Sequence, residues 1–375
     1  MKKIYFDHSA TTPISQDILD HMYKILKENY GNPSSIHQFG QSSRALIENA
    51  RRQIALAIGA SPKEIFFTSG GTESNNIVIK NILKPGDHLI ISSIEHPAIM
   101  KPAEELQKKN IEVTFVKPNG DGIVSTDDIK NSIQDNTKLV SIMMVNNELG
   151  TINPIEEFSE ILTDKKILLH TDAVQAFGKI PLDVSKLRID LLSLSGHKFY
   201  GPKGIGILYK KNNVPLTGLI TGGGQEQDIR AGTENVAGIS AIGLAAEKAS
   251  ENLSTHSKKI IDITNYFIEK LNAVNINYQI NGNNRVPGVL NISFPKMSGQ
   301  ILMINLDLLG IAVSYGAACS SGTPKPPKVL LETGLSPDLA KCSIRISFGH
   351  QNTYEEIDYF IDSLKSILLK EKQGA

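Results

Sequence analysis

The chain of 375 residues is 40% hydrophobic and 21% charged, and its 39 basic and 39 acidic side chains balance to a formal net charge of zero. That is enough material for one large and one smaller globular unit, and the neutral balance offers no basic field for direct nucleic-acid binding. The opening segment Met1 to His8 lacks an apolar stretch of signal-peptide length and no later run reaches membrane length, so the chain reads as cytoplasmic and free of membrane contact.

From about Glu64 to Tyr209 short apolar runs alternate with amphipathic helical stretches, the pattern of an α/β fold with a mostly parallel sheet covered by helices. Strands are expected at Glu64 to Thr68, His88 to Ile94, Leu139 to Val145, Lys166 to His170 and Ile189 to Leu194. Ligands in such folds collect beyond the carboxyl ends of the strands, and here each end is polar. The runs are followed in turn by Ser69 to Asn76, Glu95-His96, Asn146-Asn147-Glu148, Thr171-Asp172 and Ser195-Gly196-His197-Lys198.

Each of these residues also has a plain structural reading. Ser69 to Thr72 suits a helix cap, yet a glycine-bearing turn at a helix start equally suits a phosphate. His96 before Pro97 reads as a capped strand end. Lys198, taken alone, is a solvated loop charge; held away from bulk water after an apolar strand, it becomes a nucleophilic amine. Asp172, after the run Ile167 to His170, is costly to bury without a cation or a protonated ring nitrogen. Amine, carboxylate and phosphate cradle together are what pyridoxal 5'-phosphate requires.

After about Ser250 the pattern changes. Helical stripes run through Ile260 to Leu271 and Ile357 to Leu368, and strand-like alternation through Leu290 to Phe294 and Cys342 to Phe348. In the latter, Cys342 falls on the apolar face with Ile344 and Ile346, which reads as core, while Arg345 lies on the polar face as either a solvated charge or a fork for a carboxylate. The chain's two cysteines are too few for a disulfide framework. Cys319 sits among small residues and chain breakers between Ser314 and Lys328, with almost no apolar neighbours to bury with, and reads as a reactive thiol on a moving arm. No zinc spacing or internal repeat appears, so no metal is expected.

The segments Asp7 to Pro13, Gly31-Asn32-Pro33, Thr68 to Asn76, Glu95-His96, Val145 to Gly150, His170 to Gln175, Ser193 to Gly206, Gly222 to Asn235 and the Cys319 loop occur in an order that resembles the group I cysteine desulfurases of the NifS and IscS kind. The resemblance covers essentially the whole chain. It implies the aspartate-aminotransferase fold: a large domain, residues 15–250, with a mostly parallel seven-stranded sheet, and a smaller α+β domain of residues 1–14 and 251–375 carrying the mobile loop at about 314–328. It implies pyridoxal phosphate in Schiff-base linkage to Lys198, Asp172 on the pyridinium nitrogen, Gln175 on the phenolic oxygen and His96 stacked on the ring as a proton-transfer group. Gly71, Thr72, Ser195 and His197 match the phosphate cradle, Thr233 a residue reaching the phosphate of the other subunit of a homodimer, and Asn147 and Arg345 substrate-carboxylate contacts. Cys319 matches the nucleophile that takes sulfur from L-cysteine as a persulfide, leaves L-alanine, and passes the sulfur to an acceptor protein, an iron-sulfur scaffold or a tRNA-thiolation enzyme.

The sequence departs from the usual pattern of that family at Gln227-Asp228, where arginine or lysine followed by glycine is common, and at Pro324 to Lys328, where Leu-Glu-Pro-Ser-His is more usual. It also ends at Ala375, short of the tail by which IscS-type members dock a scaffold. A selenocysteine lyase or another small-amino-acid enzyme of the same fold is the alternative, and a reactive cysteine in the loop is what neither of those reactions needs.

Overall fold

A computed structural model describes residues 3–316 and 326–374. Its strands in chain order are β1 (Ile4–Tyr5), β2 (Ile65–Thr68), β3 (His88–Ser92), β4 (Glu112–Val116), β5 (Thr137–Ser141), β6 (Leu168–Asp172), β7 (Leu191–Ser195), β8 (Gly206–Lys210), β9 (Gln279–Asn281), β10 (Val289–Ser293), β11 (Ile311–Ala312) and β12 (Ser343–Ser347). The central sheet has seven strands in the order β2-β8-β7-β6-β5-β3-β4. Only β8 runs antiparallel to its neighbours, and the remaining pairs are parallel. Helices cover both faces, so the inner strands are buried along their whole length and their sequences read as nearly unbroken apolar runs.

The sequence-based strands fall on observed ones with shifted ends. β5 ends at Ser141, and past that end Ile142 and Met144 still donate to the carbonyls of His170 and Asp172 on β6. β4 and β8 were not foreseen. β4 is an edge strand with an exposed or half-buried side to most of its residues, and its apolar signal is diluted accordingly. Within the sheet His170 bridges Ser141 and Ser193 through its two ring nitrogens at 2.7 and 3.1 Å. Burial pulls its pKa down to about 3, so it is a neutral packing residue.

The central sheet divides two apolar clusters, one containing Ile54, Phe158, Leu169 and Ile242, the other Val78, Ile91, Ile99 and Leu139. A further core joins Ile4 and Phe6 to Phe267, Leu290, Ile344 and Phe360. It packs the three-stranded antiparallel sheet β12-β10-β9 against the helices Leu253–Ala273 and Tyr354–Gly374. β1 pairs in parallel with β11 on this side. Cys342 is a correction to the sequence reading. It lies in the turn just before β12 and is only half-buried, because the strand begins at Ser343 and the alternation did not mark that start.

The segment from Gly224 to Asn235 is fastened from beneath. Glu226 takes both guanidinium arms of Arg51, at 2.7 and 2.9 Å, and the N–H of Phe67 at 2.8 Å. Glu226, Gln227 and Asp228 follow one another with φ of 46°, 54° and 64°, left-handed backbone without a glycine.

Candidate active site

The carboxyl ends of the parallel strands open on a cavity of about 490 Å³. Gly71, Thr72, His96, Asn147, Asp172, Gln175, Ser195, His197, Lys198 and Arg345 all line it. Two expected site residues do not. Thr233 is exposed, away from the cavity wall, and Cys319 lies outside the described residues, as does most of the segment between Ser314 and Lys328.

Lys198 closes a single turn of 3-10 helix, Gly196–Lys198, straight after β7. Its ammonium donates to the carbonyls of Ser9 and Ala10 at 2.6 and 2.8 Å. Burial and the nearby Arg345 guanidinium lower its pKa to about 8, against the opposing pull of Asp172 and Asp7. The neutral, nucleophilic amine is therefore within reach near neutral pH.

Asp172 ends β6 in a buried position. One of its oxygens accepts from Asn75 Nδ2 at 2.7 Å and the other from the Val174 N–H at 3.0 Å. Among the described residues no lysine or arginine forms an ion pair with it, so a cation supplied from the cavity would be the partner it lacks. Asn75 is itself buried and keeps an unpartnered Oδ1. His96 caps the helix Pro97–Gln107, its Nδ1 accepting from the Ala98 N–H at 3.1 Å, and its ring lines the cavity. Since Nδ1 accepts, the ring proton belongs on Nε2. Burial lowers the His96 pKa, with Asp172 opposing and Lys198 adding to the shift.

One corner of the cavity is built by close backbone approach. The helix Gly71–Ile82 starts there, with Gly71 and Thr72 on the cavity wall, and a helix start carries free N–H groups and the positive end of the dipole. A Cβ on Gly206 would stand 2.5 Å from the Gly70 backbone, and one on Gly71 would stand 2.7 Å from a Val174 methyl. These glycines let strand, turn and helix meet. His197 is held by Thr11 Oγ1 at 3.1 Å, with its pKa lowered to about 4 by burial and the adjacent Lys198.

Arg345 on β12 is buried rather than solvated. It donates to the Asn147 carbonyl at 2.8 Å, to Asp7 at 2.7 Å and to Ser314 Oγ at 3.1 Å, and its Nε has no partner. Asn147 contributes its carbonyl to that contact, not its side chain.

Residues 4–360 match the family model for class-V aminotransferases. The chain belongs to that family. Among its relatives a cysteine desulfurase IscS of Dictyoglomus turgidum is 44% identical over 98% of this chain and 95% of its own. A putative cysteine desulfurase IscS 1 of Bacillus subtilis is 43% identical over 95% and 96%. The solved structure of a NifS-like protein superposes with a TM-score of 0.92 at 37% identity, covering 98% of this chain and 99% of that one. Another NifS-like protein, from Rickettsia africae, gives 0.88 at 36% identity, over 98% and 99%. Within the class-V aminotransferases, therefore, this chain stands with the cysteine desulfurases.

For a class-V aminotransferase the donor set fits the cofactor of that chemistry. The cavity joins a deprotonatable lysine, a buried carboxylate lacking a cation and a helix start suited to a dianionic phosphate. Sequence reasoning missed several members. Asp7, Ser9 and Ala10 lay in a segment noted only for its resemblance, and two of them act through main-chain carbonyls that no side-chain pattern announces. Glu95 and Glu148 also face the cavity, each with one unpartnered oxygen. Burial raises the pKa of both, well above the usual carboxylate range for Glu95.

Proposed function

We propose that the protein is a pyridoxal-phosphate-dependent cysteine desulfurase that converts L-cysteine to L-alanine and carries the sulfur on Cys319. The observation that carries this reading is the meeting of Lys198 and Asp172 in one cavity with the start of the helix Gly71–Ile82. When bound, the cofactor supplies a carbonyl for imine exchange and an electron sink for the substrate's Cα. The rest falls to the chain. Lys198, now held by the Ser9 and Ala10 carbonyls, would be the residue that holds the cofactor and, when free, the base that moves the substrate's Cα proton. Asp172 keeps the ring nitrogen protonated, and Gln175 offers its amide to the phenolic oxygen. His96, with its proton on Nε2, would lie against the cofactor ring and assist proton transfer. Gly71, Thr72, Ser195 and His197 hold the phosphate, joined by Thr233 of a second copy in a homodimer. Arg345, with Nε unpartnered, and the neighbouring Asn147 receive the substrate carboxylate. The Cys319 thiolate would attack the substrate sulfur: the S–S bond forms as the C–S bond breaks, its electron pair passing to the substrate's Cβ, which takes a proton to become the methyl of alanine, and an acceptor of iron-sulfur assembly or tRNA thiolation in the cytoplasm takes the sulfur. On the same reading the chain divides into a large domain, residues 15–250, and a small one, residues 1–14 and 251–375.

The test is release of alanine and sulfide from L-cysteine by purified protein supplied with a thiol reductant. Parent protein turns over and Cys319→Ser does not. Equal turnover by the two would end the persulfide reading.

A further inference from the structure

Lys179 does not line the cofactor cavity. It lies behind it, on a smaller cavity of about 180 Å³ that reaches Lys198 from the other side. Its ammonium meets Gln175 at 2.5 Å. An ammonium has donors only, so the atom it meets must be the amide oxygen. The Gln175 NH2 is thereby turned the other way, where one hydrogen goes to the Ser9 carbonyl at 2.8 Å. The second hydrogen remains for the cofactor cavity that Gln175 lines.

Among the described residues no carboxylate offsets the Lys179 charge from behind. The charges acting on it are Lys198 and Arg345, both cations. In the rear cavity the one acidic side chain, Asp17, is taken by Lys248, and the other titratable groups there are His8, Tyr200, His256 and His350. The pKa values of His8 and His350 are lowered to about 4 chiefly by burial, so those rings are neutral. Burial, with Lys198 and Arg345, also lowers the Lys179 pKa to about 7, although part of the residue still reaches solvent. Within the protein, the route from this ammonium toward an anion in the cofactor cavity runs through Gln175.

We infer that Lys179 is a positioning residue: it turns the Gln175 amide so that NH2 faces the cofactor, and its charge backs the hydrogen bond that Gln175 gives to an anionic ring oxygen. This rests on reading the cavity as a pyridoxal phosphate site. The polarised amide strengthens its hold on the phenolate, as charge-assisted hydrogen bonds do. It also competes with the neighbouring imine proton for that oxygen.

The full-length protein, reconstituted with pyridoxal phosphate, is compared as parent, Lys179→Met, Gln175→Ala and the double variant. The pH midpoint of the bound chromophore's visible absorption and the cofactor dissociation constant are measured for each. Lys179→Met should raise the midpoint by about one pH unit and weaken cofactor binding roughly tenfold, the scale of one hydrogen bond to a charged group. In the Gln175→Ala background the same change should move the midpoint by less than about 0.3 pH unit and the dissociation constant by less than about twofold, because its route is gone. An unshifted midpoint in Lys179→Met, or equal shifts in both backgrounds, overturns the inference. Should Lys179→Met fail to fold, Lys179→Gln, which is shorter and uncharged, carries the same comparison. A parent protein that binds no cofactor and shows no visible band would instead refute the cofactor reading, a separate result.

Discussion

Replacing Glu226 by alanine should be among the most damaging single changes away from the cavity. The carboxylate and Arg51 are 2% and 7% exposed as side chains, and removing one partner strands the other as a buried charge, at a cost of about 3–5 kcal/mol. Arg51 keeps the Ile65 carbonyl and a longer contact to the half-exposed Glu48 at 3.4 Å, which places the loss toward the lower end. The Phe67 N–H on edge strand β2 loses its acceptor as well, a group worth about 1–3 kcal/mol when left unpaired. These losses share one carboxylate and do not add in full, so about 4 kcal/mol is expected. Urea unfolding of the cofactor-free protein, followed by fluorescence and circular dichroism, measures it. Pairing the change with Arg51→Met should recover part of the loss by removing the orphaned guanidinium. A midpoint within about 0.5 kcal/mol of the parent would refute the claim that this pair anchors the segment leading to Thr233.

Asp228→Gly, at φ 64°, should stabilise by up to about 1 kcal/mol, the left-handed strain relieved less the entropy of glycine; a clear loss in the same urea assay would show that Asp228 makes a compensating contact. The rate at which cofactor-free protein captures pyridoxal phosphate should rise with pH through a midpoint near 8 and level off about one unit above it. The midpoint is the pH around which Lys198 loses its proton under burial and Arg345, with Asp172 and Asp7 opposing, and a rise continuing to pH 10 in stopped-flow absorbance would contradict the depressed amine. Cys342→Ser should keep full turnover and lose at most about 1 kcal/mol, since the thiol is half-buried in a turn. Mixing Thr233→Ala with Lys198→Ala subunits should restore tightly bound cofactor in hybrid dimers, because each chain's lysine and threonine serve different sites. No restoration despite proven subunit exchange would place Thr233 on its own chain's site or on none.

The parallel sheet was legible because buried strands must be apolar throughout and their ends, where polar side chains gather, stand out by contrast. Lys198, Asp172 and His96 were found that way, and the structure gathers them around one cavity. What escaped has physical reasons. Ser9 and Ala10 hold the lysine with peptide carbonyls, which every residue possesses. Lys179 looks like a surface charge in a turn until its neighbours are known. Arg345 on an alternating strand could face either water or a ligand, and only the packing of β12 beside Asp7 and Asn147 decides. The left-handed run at Glu226 carries no glycine to announce it.

The crossing of residues 4–12 bears on how the molecule comes to exist. β1 finds its partner in β11, His8 and Ser9 bond to Ser347, and the next residues hold Lys198 and His197. During synthesis this segment leaves the ribosome long before the strands that receive it. The central sheet can close while these residues are still untethered, and the pocket's inner wall is set only when the distant strands arrive. The earliest stretch to be made is thus among the last to be placed, so a nascent chain stalled before β11 would hold its reactive lysine without the carbonyls that restrain it.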